Sequence, residues 1–205
     1  LIVAIVTAAG ESTRFPWNKL LYNYSSKPLV VQTVENLVLS GFIERIIVVT
    51  GYMHDKVEST IRNYGFEVEF VYNPKYREGM SSSIKKGVEY ILENRIDADG
   101  LLVNPADCAW IHPGIHALIA VKFYDYLNKY HVFIASYRGR RGHPVVFSRE
   151  IIADLLSISE EKKGLKEITS KYADKTLIIE TNYPGVVLDL DSINDILRVK
   201  SSLYI

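Results

Sequence analysis

Apolar residues in this chain fall into short unbroken runs, separated by longer stretches in which they recur every three or four positions. Leu1 to Val6 is the first run. Arg45 to Thr50 (RIIVVT), Val68 to Tyr72, Leu101 to Val103, His131 to Ser136, Val145 to Phe147 and Leu177 to Thr181 follow. Continuous rather than alternating runs of this length suit strands buried on both faces of a sheet. Between them, Leu29, Val30, Thr33, Val34, Leu37 and Val38 keep helical spacing; Pro28 sits where a helix can begin and Gly41 ends it. Asp55 to Tyr64 also reads as helical. Ser81, Ser82 and Ser83 cap a further helix whose apolar face is Ile84, Val88, Ile91 and Leu92. Pro113 opens a long one carrying Ile115, Leu118, Ile119, Phe123, Tyr126, Leu127 and Tyr130 on one side. This alternation predicts an α/β fold with a doubly wound, mostly parallel sheet and helices on both faces.

Residues 137–190 change character. Tyr137-Arg138-Gly139-Arg140-Arg141-Gly142-His143-Pro144 reads as a glycine-rich basic turn before a short strand. Two helical stretches, the run LIIET, a strand VVLDL and a terminal helix complete the chain. The expectation is one domain over residues 1–205, with 137–190 a smaller subdomain at the sheet's edge.

Composition narrows the partners. Lys and Arg balance Asp and Glu at 24 each over 205 residues, so no global field favours nucleic acid or an anionic membrane. Cys108 is the only cysteine, which excludes a disulfide framework and a thiol metal site within one chain. No apolar run approaches the roughly 20 residues of a membrane span, and no leader pattern is visible; the expected location is cytoplasmic.

The loop after the first run carries the clearest chemistry. It reads Ala8-Ala9-Gly10-Glu11-Ser12-Thr13-Arg14, with Lys19 five residues further on. Small residues at the carboxyl end of a buried strand let backbone N–H groups approach an anion, and two cations neutralise it. A triphosphate is the matching ligand. A Walker A loop is excluded by Asn18 before the lysine and Leu20 after it, and a dinucleotide fingerprint by the presence of Gly10 alone.

A pair of carboxylates forms the second constellation. Asp107 follows the run LLVNPA, and Asp189 and Asp191 close VVLDL. Singly, Asp107 suits a turn and Asp191 an N-cap. Together, at the same rim as a cationic phosphate loop, they suit Mg²⁺, which is commonly held by one or two carboxylates plus substrate oxygens. Cys108 and His112 near Asp107 do not have zinc-ligand spacing.

On the pieces TAAGESTRFPWNKLL, NPKYREGMSSSIKKGV, NPADCAWI, YRGRRGHPVVF and VVLDLDSINDI, the chain resembles the molybdenum cofactor cytidylyltransferase family from end to end. The resemblance implies a Rossmann-like domain joining CTP to molybdopterin or its molybdenum form with release of pyrophosphate. It implies triphosphate binding by Gly10, Arg14 and Lys19, Mg²⁺ binding by Asp107 and Asp191, and Ser81, Ser82 and Ser83 beside the nucleotide. Arg14, Lys19 and Asp107 are then the candidate catalytic residues, and Ala8, Ala9 and Ser12 complete the nucleotide set. Arg141 and His143, in the RGHPV element, fall to a phosphorylated pterin acceptor. A molybdoenzyme or its chaperone would be the protein partner. Pro16, Ala109 with Trp110, and Glu161-Lys162-Lys163-Gly164, which keeps only the second glycine of a Gly-Asp-x-Gly turn, depart from the family's usual residues.

The methyl groups of Ala8 and Ala9 narrow the slot beside the backbone toward a pyrimidine, so the expectation is CTP over GTP. Two other functions fit the same residues: a nucleotidyltransferase acting on a sugar phosphate or other phosphorylated metabolite, and a non-catalytic nucleotide-binding cofactor chaperone. Retention of Arg14, Lys19, Asp107 and Asp191 together argues against the latter.

Overall fold

The computed structural model describes residues 1–24 and 26–190 together with Ser192, Asp195 and Val199. Asp191 and most of the segment expected to form the terminal helix therefore lie outside the described residues. Seven strands make one sheet: β1 (Ile2–Ala8), β2 (Arg45–Thr50), β3 (Glu69–Tyr72), β4 (Gly100–Pro105), β5 (Val132–Tyr137), β6 (Arg140–Ser148) and β7 (Thr176–Thr181), in spatial order β3-β2-β1-β4-β6-β5-β7. β1 pairs parallel with β2 and β4, β2 with β3, and β5 with β7; β6 alone runs against its neighbours, β4 and β5. The sheet is thus mixed but mostly parallel, as the sequence predicts.

Helices α1 (Leu29–Leu39), α2 (His54–Arg62) and α4 (Pro113–Tyr126) cover one face, and α3 (Met80–Glu93) with α5 (Leu165–Lys171) the other. β1 shows why both faces must be covered. Ile2, Ala4, Val6 and Ala8 enter one core and Val3 and Ile5 the other, all at 0% exposure. Among the described residues no helix is long and apolar enough to cross a membrane.

Four local expectations are corrected. The basic segment Arg140 to Pro144 is not a turn but the first half of the nine-residue β6; the turn is Arg138-Gly139, both left-handed at φ 49° and 75°. VVLDL is not a strand, because Pro184–Val187 forms a 3-10 turn wedged between two other backbones. A Cβ on Gly185 would lie 2.2 Å from the Trp110 carbonyl oxygen, too close for any side chain. Gly79, not a serine, is the N-cap of α3; Ser81 to Ser83 lie buried inside its first turn. Finally, α4 ends at Tyr126, short of Leu127 and Tyr130.

One core residue makes the fold acid-sensitive. His116 on α4 is 1% exposed, and burial, reinforced by His112, lowers its pKa from 6.5 to about 3. Between those values the unfolded chain binds the extra proton, so stability is complete above pH 6.5 and falls as pH drops toward 3. The expected loss is up to about 1.4 kcal/mol per pH unit. Urea midpoints for wild type and His116→Leu between about pH 7 and 5, on either side of the ordinary imidazole value, check this: the variant should show the shallower decline.

Candidate active site

The loop after β1 is held by its own polar atoms. Ser12 adopts a left-handed φ of 55°, its carbonyl accepts from Phe15 N at 2.8 Å, and its Oγ accepts from Lys19 N at 3.2 Å. Asn18 Oδ1 accepts from Leu20 N at 3.0 Å and so starts the 3-10 turn Lys19–Leu21. This caps the turn and aims Lys19 across the sheet's rim. Its Nζ donates to Asp107 Oδ2 at 2.5 Å and to the Leu190 carbonyl at 2.6 Å. Both side chains of the ion pair are largely buried, at 15% and 17% exposure.

Asp107 sits on a loop with little freedom. Ala106 N donates to the Thr7 carbonyl at 3.1 Å, extending the β1–β4 ladder past its end. From α1, Thr33 Oγ1 donates to the Ala106 carbonyl at 2.8 Å and Asn36 Nδ2 to the Ala109 carbonyl at 3.0 Å, both buried. The backbone that carries the carboxylate is thereby fixed on each side by a hydrogen bond from α1.

Two cavities meet here. The first, about 240 Å³, is lined by the charged and small residues Gly10, Ser12, Arg14, Lys19 and Asp107 together with the neutral Ala9, Tyr76, Gly79, Met80 and Ser83. The second, about 580 Å³, is bounded by Arg140, Arg141, His143, Lys166 and Asp189, with Val145, Val186 and Leu188 as apolar walls. Met80, Pro105 and Asp107 line both. The reversed direction of β6 explains the second cavity: its pairing of Val145 with Val103 carries Arg141 and His143 to the rim where β1 and β4 end. Burial holds the His143 pKa below the ordinary imidazole range, although the Asp107 carboxylate and the Val103 backbone both favour its charged form.

Of the residues expected from sequence, Ala9, Gly10, Ser12, Arg14, Lys19, Ser83 and Asp107 share the first cavity, and Arg141 and His143 the second. Ala8 does not reach either; at 0% exposure it packs in the core with Leu20 and Ala106. Ser81 and Ser82 are also away from both linings. Ser82 Oγ accepts from Asn73 Nδ2 at 2.9 Å and reaches the Lys75 and Gly79 carbonyls, a structural role at the start of α3. Ser81 N donates to Glu160 Oε1 at 2.7 Å. Asp191 lies outside the described residues.

Sequence reasoning missed Thr7, Tyr76 and Met80 in the first cavity and Thr169 and Ser170 in the second. The last two were findable, because they follow Lys166 by three and four residues on one short helix. A hard divalent ion fits the donors present, a carboxylate and a main-chain carbonyl facing one positive centre. Among the described residues, however, no group of three or more His, Cys, Asp or Glu could hold a metal ion.

The MobA-like NTP transferase domain family matches residues 4–176 of the chain. A probable molybdenum cofactor guanylyltransferase of Pyrococcus horikoshii is 36% identical over 67 residues, 33% of each chain. One of the same description from Thermococcus sibiricus is 29% identical over 116 residues, 56% of each. The matches thus span a third and just over half of these relatives' lengths. Among solved structures, a nucleotidyl transferase from Methanothermobacter superposes with a TM-score of 0.80 at 22% identity, covering 100% of this chain and 98% of that one. A manganese complex of Rv0371C from Mycobacterium tuberculosis superposes at 0.71 and 20% identity, covering 98% of both. These structural likenesses show the fold.

Proposed function

The chain belongs to the MobA-like NTP transferase family, and on that basis we propose that it transfers a nucleotidyl group from an NTP to a phosphorylated acceptor of the molybdopterin type. The observation that carries this reading is the pair of cavities sharing Asp107: one has a triphosphate's cations, the other three further cations for a second anion. A binding protein needs one such cavity; a transferase needs two that meet.

In this reading, Lys19 and Arg14 neutralise the triphosphate, and Gly10 leaves its backbone open to it. Arg140, Arg141 and Lys166 draw the acceptor's phosphate toward Asp107. An acceptor phosphate oxygen bonds to the α-phosphorus while the bond to the bridging oxygen breaks, and pyrophosphate leaves with that electron pair. The nucleophile is already anionic, so no general base is required, and His143, neutral by burial, serves packing and orientation. A divalent ion, with Asp107 as its carboxylate ligand, would supply further charge neutralisation at the phosphoryl oxygens.

The acceptor side gives the first test. Arg141→Ala should raise the acceptor KM about tenfold, equivalent to the roughly 1.4 kcal/mol of one charge-assisted hydrogen bond, and hardly change nucleotide affinity. Equal loss of nucleotide affinity in equilibrium dialysis would put Arg141 at the wrong end of the site.

The base gives the second. The expectation of CTP rests on the family resemblance and on two methyl groups, but only Ala9 reaches the cavity, and it also packs on Gly51, where an added Cβ would lie 2.8 Å from the Ala9 Cβ. The Pyrococcus and Thermococcus relatives both carry guanylyltransferase in their names, which favours GTP. We take GTP as the first reading and CTP, supported by the Ala9 methyl, as the second. Steady-state kcat/KM for both nucleotides separates them. A preference for CTP that Ala9→Gly relaxes by about 1–3 kcal/mol would restore the pyrimidine reading.

A further inference from the structure

Lys19 does more here than wait for a phosphate. Its ammonium is gripped by two oxygens, Asp107 Oδ2 at 2.5 Å and the Leu190 carbonyl at 2.6 Å, and Asp107 is a residue that lines both cavities. A carboxylate and a main-chain carbonyl converging on one positive centre are the donor types of Mg²⁺ or Mn²⁺. We propose that the Lys19 ammonium occupies the position of a divalent cation, and that the Leu190 carbonyl becomes, with Asp107, a ligand of that cation once a triphosphate has drawn Lys19 away. The proposal rests on the first cavity being a triphosphate site.

Three observations converge on the exchange. The Lys19 ammonium at Asp107 Oδ2 repels a divalent cation approaching the same oxygen, so lysine and metal compete for that position. Lys19 also lines the first cavity with Gly10, Ser12 and Arg14, so an arriving triphosphate offers its ammonium new partners without moving the backbone. And a triphosphate in that cavity would bring phosphate oxygens, the usual further ligands of an ion held by one or two carboxylates, beside Asp107. Nucleotide and metal then bind with positive coupling, each strengthening the other by the same factor. The device keeps the site from loading metal before nucleotide arrives.

The test is Mn²⁺ binding to the full chain, followed by loss of the free-ion electron paramagnetic resonance signal. It is run with and without an α,β-methylene GTP or CTP analogue, after subtracting ion bound by the analogue in solution. Wild type should bind Mn²⁺ weakly alone and at least tenfold more tightly with the analogue. Lys19→Gln and Lys19→Met should each bind Mn²⁺ alone at least tenfold more tightly than wild type, with the coupling reduced. Asp107→Asn should bind little in either state. Circular dichroism checks each variant's fold, and either neutral variant suffices. Mn²⁺ affinity unchanged or lower in a folded neutral variant overturns the exchange. Equilibrium dialysis of the analogue in EDTA separates the two levels: no binding there removes the triphosphate site itself, whereas binding without coupling to Mn²⁺ removes only the exchange.

Discussion

Asp107→Asn should lower kcat and kcat/KM together by about two to three orders of magnitude, the scale on which losing one electrostatic partner of the transition state is felt. Asn keeps an oxygen for Lys19 Nζ and the loop's hydrogen bonds to Thr33 and Asn36, so the chain should remain folded. What it loses is the full negative charge shared by both cavities. Single-turnover kinetics at saturating Mg²⁺, with a melting curve alongside, measure both halves. Near-normal turnover would remove Asp107 from the reaction and leave its ion pair with Lys19 a structural feature.

The second large effect comes from a residue with no side chain. A Cβ on Gly142 would lie 1.9 Å from the Val186 carbonyl oxygen and 2.7 Å from its carbon, both backbone atoms that cannot rotate aside. Gly142→Ala must therefore push β6 away from the 3-10 turn Pro184–Val187, which carries the wall of the second cavity and leads to Leu190. Overpacking of this kind costs about 1–3 kcal/mol, or roughly 3–10 °C in Tm for a chain of this size. The acceptor KM should rise while nucleotide affinity changes little. A neutral effect on both Tm and KM would mean that the close contact is not required.

How far the sequence reaches is best seen strand by strand. β1, β2 and β4 are legible because burial on both faces demands continuous apolar runs, and the ligand loop follows from where β1 stops. Of β6 only Val145 to Phe147 is legible; its first half is not, because Arg140-Arg141-Gly142-His143-Pro144 carries the polarity, glycine and proline of a turn. Only pairing with β4 and β5 makes it a strand, and no local pattern encodes a non-local partner. That hidden strand is what brings Arg141 and His143 beside Asp107. Ala8 is a matter of phase: β1 runs two residues beyond Val6, which turns Ala8 inward with Ile2, Ala4 and Val6 and leaves Ala9 to line the cavity. The serines of α3 mislead differently. Serine commonly caps helices, but Gly79, at φ 97°, takes that place, and Ser82 is consumed by Asn73 and two carbonyls.

Mass spectrometry of the products formed from all four NTPs and purified molybdopterin tests the central claim most directly. A single new species with the mass of molybdopterin plus one nucleoside monophosphate less one water, formed with equimolar pyrophosphate and absent with Asp107→Asn, is the predicted result. Intact NTPs bound stoichiometrically with no product would contradict it, because the second cavity would then have no acceptor to bring to Asp107.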